Sequence, residues 1–210
     1  DPSNFARVNI SGDQNSIEDA YIDIYCLNPG GANLNPNITC ELGALFNKNY
    51  YDVYLDNTKN ASAAYTFNFN RSRMFSQNSN NSPGGNLKCS GYYNPPVKAR
   101  SYAGLYATNA GIINFNYNAS PIDYNQIKNK DYGLYFNNTN ANVNNVNFSD
   151  TKGIQDNNLG GFPTLPRGVG VYSQNSNYLH VKPASTPTTG ITTNFTNMGF
   201  GIITNNTYTV

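Results

Sequence analysis

A short pattern recurs along this chain. Gly104-Leu105-Tyr106-Ala107-Thr108-Asn109-Ala110 is answered by Gly133-Leu134-Tyr135-Phe136-Asn137-Asn138-Thr139. It returns as Gly170-Val171-Tyr172-Ser173-Gln174-Asn175-Ser176 and Gly201-Ile202-Ile203-Thr204-Asn205-Asn206-Thr207. An earlier copy is Asp52-Val53-Tyr54-Leu55-Asp56-Asn57-Thr58. Each copy reads as a strand running into an Asn-centred turn, and most are followed by a second apolar run. The copies lie from about 30 to over 50 residues apart, whereas solenoid repeats keep a tighter period.

Between the copies, polar and apolar residues alternate. Tyr65-Thr66-Phe67-Asn68-Phe69-Asn70 and Ile113-Asn114-Phe115-Asn116-Tyr117-Asn118 each give a strand one dry and one wet face. Tyr21 to Tyr25, Tyr178 to Val181 and Ile191 to Phe195 read as further strands. Val143, Val146 and Phe148 suggest another, with a bulge. Helix signals are weak: Ser16 caps at most one turn through Ala20, and Glu41 to Phe46 fits a turn or a strand.

Uneven spacing, abundant Pro and strong alternation favour an all-β, antiparallel β-sandwich, jelly-roll-like, with long loops. The alternative is a right-handed parallel β-helix. There the Gly-apolar-Tyr strands would occupy successive rungs, with Asn stacked at the turns. All 210 residues read as one domain, with an exposed loop at 77–88.

Composition narrows the function classes. Charged residues are only 12% of the chain and net charge is +1, with no basic stripe, so nucleic acid is not an expected partner. No stretch approaches the ~20 apolar residues of a membrane helix. Asn supplies roughly one residue in five, beside 17 Tyr and 11 Phe. Aromatics in that number argue against disorder. AT-rich coding accounts for much of the Asn, and a surface of neutral hydrogen-bonding groups is the functional reading.

The chain starts at Asp1, and a removed signal peptide gives such a start. The expected location is secreted, periplasmic or cell surface. Cys26 and Cys40 enclose a loop that a disulfide would close, leaving Cys89; pairings with Cys89 stay open. Sequons such as Asn60-Ala-Ser62 and Asn147-Phe-Ser149 signify glycans only in a eukaryotic or viral source.

Catalytic groups are few. His180 is the one histidine, no Gly-x-Ser-x-Gly surrounds a serine, and no Cys/His cluster offers a zinc site. Acidic Glu18, Asp19, Asp23, Asp52, Asp56, Asp123 and Asp131 read mainly as turn and capping residues. The stretch Asp13 to Asp19 departs from a calcium loop. No catalytic residue, metal or cofactor is therefore assigned.

Binding falls to aromatic pairs. Tyr92 and Tyr93 with Asn94 precede a rigid Pro-Pro, and Tyr50 and Tyr51 form a second pair. Sugar rings stack on aromatic faces, and amides serve hydroxyls. In each pair, strand alternation would turn one Tyr inward. The reading is a non-enzymatic adhesin, receptor-binding or carbohydrate-recognition protein, with a glycan or cell-surface protein as partner. The alternatives are a secreted polysaccharide-acting enzyme with paired carboxylates, and a subunit of a pilus, coat or outer-membrane assembly.

Overall fold

Strands with one dry face must cover it. This chain does so by coiling rather than by pairing hairpins. The structure is a computed structural model. It describes residues 7–11, 16–18, 20–27, 37–41, 45–47, 49–56, 66–70, 73–75, 102–116, 125–128, 130–144, 146–149, 168–182, 193–196 and 198–209. The first sheet holds β1 (Arg7–Ser11), β4 (Asn37–Glu41), β7 (Thr66–Asn70), β10 (Ile112–Asn116), β13 (Asn140–Asn144) and β16 (Leu179–Lys182), in that order. The second holds β2 (Ser16–Glu18), β5 (Leu45–Asn47), β8 (Arg73–Phe75), β11 (Asn125–Lys128), β14 (Val146–Ser149) and β17 (Asn194–Thr196). The third holds β3 (Ile22–Leu27), β6 (Tyr51–Asp56), β9 (Ala103–Thr108), β12 (Tyr132–Asn137), β15 (Val169–Gln174) and β18 (Phe200–Asn205).

Each strand pairs, in parallel, with the strands three earlier and three later in the chain. Successive strands therefore visit the three sheets in turn, which is the topology of a parallel β-helix. This overturns the expected antiparallel sandwich: the chain is all-β, but the described strands form three wholly parallel sheets. Alternation reports which side of a strand is dry. It does not report the direction of its neighbour, because both pairings share the period of two.

The uneven repeat has a simple origin. The five copies all lie in the third sheet, level with one another: Val53, Leu105, Leu134, Val171 and Ile202 form one column. More residues separate β8 from β9 and β14 from β15 than separate the other strands, and the strands on either side keep their register. The expected bulge at Val143 to Phe148 is a corner between β13 and β14. Ser16 begins a strand rather than capping a helical turn.

Inside the coil, like stacks on like. Phe69 lies 4.8 Å from Phe115 and Phe148 lies 4.9 Å from Phe195, with rings nearly parallel. Phe46, Phe67, Met74, Ile113, Leu134 and Phe136 are fully buried. The corner between third and first sheets is a hydrogen-bonded ladder. Asn109, Asn138, Asn175 and Asn206 adopt left-handed φ of 47°, 50°, 52° and 50°, which Asn tolerates better than most residues. The next residue accepts from the rung before: Ala110 N–H donates to Thr139 Oγ1, Thr139 N–H to Ser176 Oγ, and Ser176 N–H to Thr207 Oγ1.

The repeat glycines mark where rungs approach most closely. A Cβ at Gly133 would stand 2.6 Å from the Gly170 carbonyl oxygen and 2.7 Å from the Phe148 ring. At Gly201 the nearest atom would be a Phe195 ring carbon at 3.3 Å, and no carbonyl crowds it. Gly133→Ala should cost about 1–3 kcal/mol, the range of an overpacked core. Gly201→Ala should stay within about 1 kcal/mol of neutral, since lost chain entropy of the unfolded state offsets slight crowding. Urea unfolding of the two variants checks the contrast; equal midpoints would refute it.

Candidate functional site

In four of the five repeats the third residue is a tyrosine that points out of the coil, and register brings these tyrosines into one column that ends at Ile203. Tyr25, Tyr54, Tyr106, Tyr135 and Tyr172 are Cα partners from β3 to β15. Strand spacing of about 4.8 Å is close to the distance at which aromatic rings stack. Tyr54–Tyr106, Tyr106–Tyr135 and Tyr135–Tyr172 accordingly have centroids 4.9, 4.4 and 5.0 Å apart, at 24°, 9° and 14°. Tyr25 joins edge-on to Tyr54 at 5.5 Å.

A second column enters the sheet beside the first. Tyr21, Tyr50 and Tyr102 stack at 5.1 and 5.5 Å, and Tyr132 follows Tyr102 at 5.2 Å with a tilt. Tyr51 stands between the columns, its ring turned 86° from Tyr50 and 88° from Tyr54. Ten of the 17 tyrosines thus share one outer face.

The hydroxyls are linked along the face. Gln174 donates to the Tyr135 hydroxyl at 3.0 Å and accepts from that of Tyr172 at 3.1 Å. Tyr135 and Tyr106 share a hydroxyl hydrogen bond. Level with Gln174 lie Asp56, Thr108, Asn137 and Asn205, a polar border to the columns.

Tyr50 and Tyr51 are therefore part of the face, but not as the sequence suggested. Neither turns inward: both rings contact other tyrosines of the array. Tyr50 precedes β6, so strand alternation does not govern it. Its ring lies between Tyr21 and Tyr102, so its two faces are covered by neighbours rather than free for a sugar. Stacked rings present hydroxyls and edges outward. Tyr92, Tyr93, Asn94, Cys89 and the 77–88 loop lie outside the described residues. The signal that locates the site is the Tyr carried by four of the five repeats, more than any pair of adjacent Tyr.

On the first sheet a narrower polar ladder faces out. Asn114 donates to Asn68 at 3.4 Å, Asn142 donates to Asn114 at 2.7 Å, and Asn142 Oδ1 lies 3.1 Å from His180 Nδ1. His180 also stacks on Tyr178, so its contacts are those of a ladder member.

Inside the coil, below the tyrosine face, sits a group of charges. Lys130 Nζ lies 2.8 Å from both carboxylate oxygens of Asp52, and the two side chains are 1% and 0% exposed. Asn49 donates to Asp52 at 3.1 Å, to the Ile17 carbonyl at 3.1 Å and to Asp23, and accepts from Ala20 N–H at 2.9 Å. Burial pushes Asp52 up to about 6, against the opposing pull of Lys130 and Asn49. Burial likewise pulls Lys130 down, against Asp52 and Asp23. Asp23 and Asp52 thus meet at one amide, but Asp52 is sealed from solvent. A glycosidic acid–base pair must flank an accessible bond.

Cys26 is a free thiol packed against the core, and burial raises its pKa. The expected Cys26–Cys40 disulfide is therefore not formed here. The two residues belong to different sheets, in β3 and β4. Among the described residues no His, Cys, Asp and Glu group is arranged to hold a metal, and no helix is long and apolar enough to cross a membrane.

Burial, followed by the neighbouring rings, raises the tyrosine pKa values. Tyr135 is pushed up to about 12, and Tyr51 and Tyr102 higher still. Tyr54, Tyr106 and Tyr132 rise too. A raised pKa in the folded state favours the neutral phenol there. Its contribution to stability is full below pH ~10, and is lost as pH rises through the folded values. Phenolate absorbance should therefore appear in two waves, the second coinciding with falling thermal stability. One wave near pH 10 with the fold intact would contradict this.

Comparison of the chain with protein-family models, with curated proteins and with solved structures finds no match.

Proposed function

We propose that this chain is an exported or surface-exposed binding protein. It holds a hydroxyl-rich extended ligand, a glycan or a glycan-bearing cell surface, on the tyrosine face of its third sheet. The observation that carries this reading is the in-register array running from Tyr21 and Tyr25 to Tyr172. A flat face of this kind suits a polymer or surface better than a small molecule, which favours a concave pocket. Tyrosine gives large contact area at small entropic cost, because it has two side-chain torsions. Its ring edges carry partial positive charge and its hydroxyls donate and accept, which complements sugar hydroxyls. The raised pKa values keep those hydroxyls protonated and uncharged across the physiological range. Low charge on the chain fits recognition of neutral ligands, and the sealed Asp52 weighs against the carboxylate enzyme as the leading reading.

Sedimentation with insoluble polysaccharides and binding to intact cells test the proposal. Tyr106→Ala combined with Tyr135→Ala should weaken binding about tenfold or more, equivalent to roughly 1.4 kcal/mol. Substitution of Asn114 on the first sheet should leave it unchanged. Binding that survives the double tyrosine variant, or no binding across a broad glycan and cell panel, would sink the reading.

A further inference from the structure

We propose that Lys130 and Asp52 are joined by a side-chain amide, an isopeptide bond that the folded chain makes for itself. Three features of the interior point to it: a fully buried amine, a fully buried carboxyl at contact distance, and a second carboxyl beside them.

The geometry places the nucleophile on its target. Nζ is 2.8 Å from each Asp52 oxygen, so the carboxyl carbon between them lies at about 3 Å, and a rotation that turns the face of the carboxyl to Nζ completes the attack geometry. With exposures of 1% and 0%, bulk water is kept from both groups. A salt bridge in such a place is a poor use of two charges, because desolvation cancels much of the attraction. A neutral amide removes both charges and retains one donor and one acceptor. The shifts of the two groups also run the right way, toward a carboxylic acid and a neutral amine.

The neighbours supply the remaining parts. The Asn49 amide donates to Asp52 Oδ1 and is placed to stabilise the oxyanion formed on attack. The same amide donates to Asp23, whose charge is felt by Lys130. The relay of protons falls to Asp23, the second carboxyl of the cluster. In the reaction, the Nζ lone pair forms the bond to Asp52 Cγ and one Cγ–O bond breaks. Two of the three ammonium protons leave with that oxygen as water, relayed by Asp23. The third stays on the amide nitrogen. Ammonium and carboxylate become amide and water, with no oxidant, reductant or co-reactant.

The fold gives the bond a purpose. Asp52 lies in β6, and Lys130 lies two residues before β12, with β9 between them in the third sheet. The link would tie two non-adjacent turns of the coil, 78 residues apart in sequence. Stacked turns otherwise hold only their neighbours, so the tie would oppose unpeeling beneath the tyrosine face.

Mass spectrometry of the intact, denatured full chain is the test. The expected mass is that of the sequence less one water. Proteolysis should yield a branched peptide that joins the Asp52 segment to the Lys130 segment. Lys130→Arg and Asp52→Ala should show the full mass, and Asp23→Asn should form the bond at least tenfold more slowly. Full mass in folded wild-type protein after long incubation at neutral pH would overturn the proposal. So would a water loss that persists in Lys130→Arg, which would mark imide formation at an aspartate instead. The wild-type peptide map decides the matter even if a variant fails to fold.

Discussion

Every feature of this molecule depends on parallel strands stacked in register at the spacing of a β-sheet. In a hairpin, a residue faces a partner of different local sequence. In this coil it faces the corresponding residue of the next turn, above and below. A chemical choice made at one position is therefore repeated along a column. Asn over Asn completes amide ladders, as in Asn68, Asn114 and Asn142. Phe over Phe fills the interior, and Tyr over Tyr builds the outer face. The Asn-rich, Tyr-rich composition thus has a structural use, since both side chains stack on copies of themselves without repelling.

The same constraint makes the exceptions informative. Most of one column in the third sheet is glycine, because each turn crowds the carbonyl of the next. Two earlier turns carry Asp23 and Asp52 at that level instead. There the interior is polar, with Asn49 and Lys130 meeting the two acids. A coil of stacked identical positions has no need of buried charge for packing. The tyrosine face lies directly outside this polar region, so the place where the core is least regular supports the surface that is most regular.

Much of the local structure was legible. The alternation at Tyr65 to Asn70 and Ile113 to Asn118 predicted strands, and strands are found at Thr66–Asn70 and Ile112–Asn116. Asn-centred turns were expected at the strand exits, and the structure adds that four of these Asn adopt a left-handed backbone. Pairing direction was not legible, because the period of two is common to both kinds of sheet. The repeat favoured recurring hairpins over stacked turns, because residues inserted between strands disguised its period. The site was half legible. Tyr50 and Tyr51 were singled out, yet the reason for their importance lies in Tyr21, Tyr54, Tyr102 and Tyr106, up to 55 positions from the ring they contact, which only register brings beside them.

By itself, then, the sequence determined that the chain is all-β, which segments carry one dry and one wet face, where the Asn turns fall, and that its charged groups are few. These follow from local chemistry: side-chain polarity, the alternation of a strand and the backbone tolerance of Asn. Only the tertiary structure decided that the sheets are parallel, that ten tyrosines form one surface, that Cys26 keeps a free thiol, and that Lys130 meets Asp52. Each of those depends on which turn of the coil lies beside which, and that is set by the summed fit of many columns at once rather than by any one segment.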